Sequence, residues 1–178
     1  MKEPILVEGL RVFKDNRGCF FESYKQSTFQ EIYAIEEKFV QDNHSHSTKN
    51  TIRGMHYQWS GPMGKLVRVA SGKIKDVIVD IREGSANYGE SYSYVLSEDN
   101  NNQLYVPAGF AHGFICLSDE AIVLYKCTEE YNNLAESGIN PFDKQLNIDW
   151  GVEQSEAVIS EKDISAQSFL EYSKAPKF

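Results

Sequence analysis

The sequence predicts an all-β protein, a sandwich or jelly roll with a few short helices, and three observations carry that prediction. Runs rich in Val, Ile, Tyr and Phe recur at a spacing of about 8–12 residues, separated by clusters of turn residues. Only one segment before the C-terminal region reads as a helix of any length. The 178 residues, 41% of them hydrophobic, suit one packed core. No repeat or linker-like stretch divides residues 1–178, so a single domain is expected.

Taken in order, RVFKDNRGCFFESY reads as a hairpin turning at Asp15-Asn16-Arg17-Gly18. On its second arm Phe20, Glu22 and Tyr24 share one face, with Cys19, Phe21 and Ser23 on the other. Ser27 or Thr28 would cap the short helix, which runs through Ile35 with Gln30 completing a weak capping box. From residue 51 the strand signals become dense. KLVRVA and KIKDVIVDIR flank Ser71-Gly72, a hairpin signature. SYSYVLS, QLYVPAGFAHGFICLS and AIVLYKCTEEY follow. Gly109 and Gly113 mark a bulge or a close approach to the backbone. From Asn132 the periodicity weakens, and this segment is expected to wrap the barrel.

The charge narrows the function. Lys and Arg number 18 against 26 Asp and Glu, giving −8 and a pI near 5.0. That balance argues against nucleic acid or an anionic membrane as partner, but leaves room for a small anionic ligand held by a few local cations. MKEPILVEGL lacks the apolar core of a signal peptide, and no apolar run approaches the ~20 residues that span a bilayer. The cysteines Cys19, Cys116 and Cys127 show no C-x-x-C spacing, so neither a disulfide framework nor a thiolate zinc site is expected. The reading is a reduced, soluble, cytoplasmic protein.

Four clusters place polar groups inside strand patterns. In Arg53-Gly54-Met55-His56-Tyr57-Gln58 the glycine would leave space beside the imidazole, which is either a satisfied core histidine or a working group. Lys65 shares a strand face with Val67 and Val69, and lysine is rarely buried without a partner. It either reaches water at the strand end or meets something negative. Tyr125 and Tyr131 fall on one face if their strand stays regular, and tyrosines are more often packed amphipaths than acids. In Gln41-Asp42-Asn43-His44-Ser45-His46-Ser47, Gln41, Asn43, Ser45 and Ser47 oppose Asp42, His44 and His46. Such a strand faces solvent or a polar ligand.

Two chemistries compete for these residues. His44-x-His46, with His112 in PAGFAH, resembles the metal motifs of cupins, because imidazoles two apart on a strand point to one side. The metal-binding form has a Glu soon after the pair. Here Ser47, Thr48, Lys49 and Asn50 follow, and no metal is expected. The other chemistry is metal-free acid–base catalysis. QDNHSHS, TIRGMHYQ, GKLVRV, DVIVDIR, QLYVPAGFAHGF, YKCTEEY and SEKD occur in the order found in the dTDP-4-dehydrorhamnose 3,5-epimerase family. DNRGCFFESY also resembles that family's D-x-R-G-x-F-x-E segment. The likeness runs from about residue 5 to 165.

The resemblance implies a cupin-like jelly roll, usually a homodimer, that needs no cofactor. Its substrate would be a dTDP-4-dehydro-6-deoxyhexose on the way to dTDP-L-rhamnose and cell-surface polysaccharide. A 4-keto sugar has acidified C–H bonds at C3 and C5, so inversion needs a base, an enolate stabiliser and an acid across the ring. By resemblance His56 is the base, oriented by Asp163, and imidazole titrates in a useful range. Lys65 meets the oxygen on C4, and Tyr125 is the acid. Tyr131 and His112 would line the sugar site. Arg17 and Arg53 would bind the pyrophosphate, where guanidinium forks suit phosphate oxygens. Gln41 and Asn43 would bind phosphate or sugar. Phe20 and Glu22 would reach the nucleotide of a neighbouring subunit through an exchanged N-terminal strand.

Two departures bear on substrate identity. His46 stands where many relatives have Arg, removing a fixed positive charge near the phosphate region. Gly138-Ile139-Asn140-Pro141-Phe142-Asp143 stands where many relatives have a Trp-Asn-Asp-Pro version and others an Asn-Pro-Leu-Asp-like one closer to this chain. The rivals are a single-centre epimerase or 3,4-ketoisomerase on a related nucleotide sugar, a metal-dependent cupin oxygenase, and a non-catalytic sugar-nucleotide binder.

Overall fold

Alternating apolar residues, repeated along strands too far apart in sequence to form simple hairpins, build two sheets that face each other. The computed structural model describes residues 2–178. In chain order it contains β1 (Ile5–Val7), β2 (Phe13–Asp15), β3 (Gly18–Phe20), α1 (Gln26–Tyr33), β4 (Gln41–Thr48), β5 (Ile52–Gln58), β6 (Lys65–Ser71) and β7 (Lys73–Asp80). There follow β8 (Ser91–Ser97), β9 (Gln103–Val106), β10 (Phe110–Cys116), β11 (Glu120–Cys127), β12 (Glu136–Gly138), α2 (Glu161–Ile164) and α3 (Phe169–Tyr172). One five-stranded sheet has the order β1-β9-β6-β11-β4, the other β12-β5-β10-β7-β8. This is the expected jelly-roll sandwich, and the named pairings within both sheets are antiparallel.

The inward faces meet in a core that includes Val67, Val69, Ile74, Ile78, Phe110, Phe114 and Val123. Two further layers cover the outer faces. The segment after β12 packs Trp150, Phe169 and Tyr172 against Met55, Tyr57 and Val79, so the C-terminal region wraps the second sheet as expected. Phe29 of α1 packs with Val7, Leu66 and Tyr105 on the first sheet.

Three local expectations change. Ser71-Gly72 does not join a hairpin: β6 pairs with β9 and β11, while β7 pairs with β8 and β10 in the other sheet. The chain turns a corner there. Gly72 has φ +81°, and a Cβ on it would meet the Glu120 carbonyl oxygen at 2.2 Å, so long-range pairing outweighs the local turn signal. The helix begins at Gln26, with Ser27 and Thr28 inside it and no side-chain cap at Lys25. Phe29, packed between the tilted rings of Tyr24 and Tyr33, anchors it instead. Finally, β3 ends at Phe20, so Glu22 and Tyr24 lie beyond the strand.

The glycines of the aromatic run behave as read. Pairing of β10 with β5 shifts register between His112 and Phe114, and at Gly113 a Cβ would stand 2.7 Å from the Arg53 carbonyl oxygen. Gly54 faces it: a Cβ there would lie 2.5 Å from the Gly113 Cα. The room at Gly54 is therefore taken by the neighbouring backbone and not by the imidazole.

A buried ion pair ties the N-terminal segment to the second sheet. Arg82, under the Phe110 ring, donates from Nη2 to Asp80 at 2.6 Å and to Glu3 at 3.1 Å. Burial pushes the Asp80 carboxyl up, but the hydrogen bonds from Arg82 and Ser85 and the Arg82 charge outweigh it, leaving its pKa below the ordinary value. A depressed carboxyl pKa contributes stability above the unfolded value, about 4, and loses it as pH falls through the folded value. Asp80→Asn is expected to cost about 3 kcal/mol of unfolding free energy at pH 7, because Arg82 stays buried with its main partner gone. Urea titrations at neutral and acid pH check this, with the gap between variant and wild type closing only in acid.

Candidate active site

One end of the inter-sheet space is polar. Here a cavity of about 440 Å³, counting its open mouth, is lined by Gln41, Asn43, His56, Lys65, Tyr125 and Tyr131. The alternation explains the gathering. Tyr125 and Cys127 follow Val123 along the inward face of β11, and Lys65 precedes Val67 and Val69 on β6. His56 enters from β5 in the opposite sheet, so imidazole and phenol reach the cavity from two different walls.

His56 has a fixed orientation. Its Nε2 lies 2.7 Å from Asp163 Oδ1, and Asp163 Oδ2 accepts the Gly54 N–H at 3.3 Å. Asp163 is buried in α2, where its own N–H donates to the Ser160 cap at 3.1 Å. Burial pushes the Asp163 carboxyl up, but the bond to His56, the His56 charge, the Gly54 N–H and Ser160 together bring it below the ordinary range. An ionised Asp163 accepts the Nε2 proton and leaves His56 Nδ1 with the free lone pair.

Lys65 Nζ donates to the His56 carbonyl at 3.4 Å. Burial pushes its ammonium below the ordinary lysine pKa, against Cys127, Asp76 and Glu136, which raise it. Burial raises the Tyr125 phenol, as does Cys127, so the phenol keeps its proton at neutral pH. Tyr131 lies past the end of β11, beyond the regular strand, yet still lines the cavity. Its N–H donates to Gln41 Oε1 at 2.8 Å, and Gln41 Nε2 donates to Asn43 at 3.0 Å. These amides are thus held in place.

Other sequence-selected residues fall elsewhere. Arg53 is exposed, donating to Ser47 Oγ and the His46 carbonyl, both at 3.0 Å. His112 is buried, 7% exposed, and does not line the cavity: it is the cross-strand neighbour of His56 and bonds Asp76. Arg17, Phe20 and Glu22 are exposed and do not line the cavity within this chain. Arg17 instead donates to Asp15. Deeper packing of His112 under a crowded sheet, and the exposed position of the hairpin, account for these differences.

The His46 expectation also changes. Its side chain is exposed and lies 3.2 Å from Glu120, on the face of β4 opposite Gln41 and Asn43. It is therefore not among the groups around the cavity. His44 shares that outer face while His112 lies in the interior, so the two cupin metal motifs do not converge, and no group of three candidate metal ligands occurs among the described residues. Residues that the sequence did not single out include Gln58, Met63 and Glu136 in the cavity wall and Asp76 below it. Asp76 had a readable signal, a carboxylate on the same strand face as Ile74 and Ile78. Glu136 had none, because its position depends on pairing between β12 and β5.

Comparison with known proteins follows the same line. Residues 2–171 match the family model described as dTDP-4-dehydrorhamnose 3,5-epimerase. The chain is similar to the dTDP-4-dehydrorhamnose 3,5-epimerase of Methanothermobacter thermautotrophicus, 48% identical over 89% of this chain and 85% of that protein. It is similar to that of Shigella flexneri, 45% identical over 94% and 92%. Its fold is similar to the dTDP-6-deoxy-D-glucose-3,5-epimerase of Legionella pneumophila, solved with dTDP-4-keto-L-rhamnose. That match has a TM-score of 0.87 at 38% identity, covering 94% of each chain.

Proposed function

The chain belongs to the dTDP-4-dehydrorhamnose 3,5-epimerase family and is an epimerase, and on that premise we propose how its residues invert C3 and C5 of dTDP-4-dehydro-6-deoxy-D-glucose to give dTDP-4-dehydro-L-rhamnose. One observation carries the reading: a carboxylate-oriented imidazole and a protonated phenol enter one cavity from opposite sheets, with an ammonium in the same wall. His56 Nδ1 removes the proton from the carbon beside the C4 carbonyl, and the electron pair moves onto the C4 oxygen. Lys65 stabilises that oxyanion. Tyr125 returns a proton to the other face of the same carbon, and solvent restores both side chains. Repetition at the second carbon completes the reaction without redox change.

Gln41, Asn43 and Tyr131 position sugar and phosphate in this scheme, and Arg53 binds the pyrophosphate at the rim. His112 acts from beneath the sugar site. Arg17, Phe20 and Glu22 serve the cavity of a second subunit. Supporting that reading, β2 and β3 pair with each other and with neither large sheet, and Phe13 and Phe20 are 50% and 73% exposed. A homodimer would cover them. We take residues 1–178 as one cupin-like domain, working in the cytoplasm without a cofactor.

The test is NMR of the protein with dTDP-4-dehydro-6-deoxy-D-glucose in heavy water. Deuterium should enter at C3 and C5 with formation of the L-sugar. Binding without exchange would sink the proposal. Tyr125→Phe should slow formation of inverted product about 100-fold while solvent exchange falls much less. Equal loss of both would give the phenol another role.

A further inference from the structure

One buried side chain of the cavity wall has no task in the reaction just described. Gln58 ends β5, two residues after His56 on the same strand face, and is 4% exposed. A buried carboxamide is costly unless its donors and its acceptor find partners. Gln58 finds all of them on backbone. Its Nε2 donates to the Gly61 carbonyl at 2.8 Å and to the Glu130 carbonyl at 3.1 Å, and its Oε1 accepts the Asn132 N–H at 2.8 Å. Two carbonyls and one N–H admit only this orientation of the amide.

The partners form a pattern. Glu130 and Asn132 are the chain neighbours of Tyr131, so Gln58 holds the backbone immediately before and after that residue. Residues 130–132 lie between β11 and β12, outside any strand, and have no ladder to fix them. The Tyr131 N–H goes instead to Gln41 Oε1. Tyr131 lines the cavity yet is 57% exposed, so packing of its ring contributes little to its position. Gly61 belongs to the turn after β5 that brings Met63 to the same wall.

We propose that Gln58 is a positioning residue of this site: its carboxamide brackets Tyr131 and ties that segment to the Gly61 turn, so that the Tyr131 phenol stands where the sugar docks. The inference rests on the reading of Tyr131 as a sugar-positioning residue given above. An amide that served stability alone could bond any neighbouring backbone. All three contacts of this one fall on the two segments that border the cavity.

The test uses Gln58→Met in the full chain, which keeps the length of the side chain and removes all three bonds. KM should rise about tenfold while kcat stays within about threefold, since a misplaced Tyr131 weakens ground-state and transition-state binding alike. A merely structural role would lower the melting temperature and the amount of active enzyme, and would leave KM unmoved. Tyr131→Ala should raise KM by a similar factor. Adding Gln58→Met to it should then change KM by less than about twofold, because the amide has no ring left to position. An unchanged KM in Gln58→Met, or full multiplication of the two effects in the double variant, overturns the proposal. Amide hydrogen exchange of the wild type is the second measurement and does not need the variant to fold. The Asn132 N–H should exchange at least about a hundredfold slower than in an unstructured chain, and unprotected exchange overturns the bracketing by Gln58. If Tyr131→Ala leaves KM unmoved, the sugar-positioning reading of Tyr131 fails and takes the inference with it. If Tyr131→Ala raises KM and Gln58→Met does not, only the role of Gln58 is refuted.

Discussion

Replacing His56 with alanine is expected to abolish proton exchange at both C3 and C5, with kcat down by about a thousandfold or more. The cavity offers this imidazole a fixed geometry: Nε2 is taken by Asp163 at 2.7 Å, which leaves Nδ1 as the basic atom. Both substrate carbons adjoin the same carbonyl, so a single base serves both and its loss is felt equally. The fold should survive, because Asp163 keeps the Gly54 N–H and lies in a helix capped by Ser160. Heavy-water NMR and a thermal melt check this together. Substantial exchange in a folded variant would remove His56 from the role of base.

Lys65→Met is expected to lower kcat about 100- to 1,000-fold with little change in KM, because the ammonium matters once charge builds on the C4 oxygen. The same variant should be more stable than wild type at pH 7. Burial holds the Lys65 pKa below its ordinary value, so the fold bears the cost of keeping it charged. For a cation with a depressed folded pKa, stability rises as pH climbs from the folded toward the unfolded value, about 10.4. Methionine removes that cost at neutral pH and abolishes the rise. Steady-state kinetics and unfolding curves at pH 7 and 10 decide the matter. Loss of activity accompanied by loss of stability would point to a packing role.

Much of the site was legible because strands alternate. Lys65 was placed on one face with Val67 and Val69 by the pattern of its own strand, and the structure decided that this face turns inward. The ordered motifs carried the rest of the chemistry, including the distant SEKD segment that holds Asp163. What could not be read was depth. His112 and Tyr131 both looked like cavity-lining residues, yet the first is buried beneath the cavity and only the second lines it. The register shift between β10 and β5 that accompanies this goes with the mutual approach of Gly54 and Gly113, which sit on neighbouring strands but far apart in sequence.

The sequence by itself determined the sandwich class and which residues share a face along each strand, because period-two alternation and local motifs depend on residues close along the chain. Only the tertiary structure decided that the corner at Gly72 parts two sheets and that His46 turns outward. Strand β4 shows why. It is polar on both faces, so no hydrophobic bias in its own sequence tells which side turns in, and pairing with β11 makes the choice.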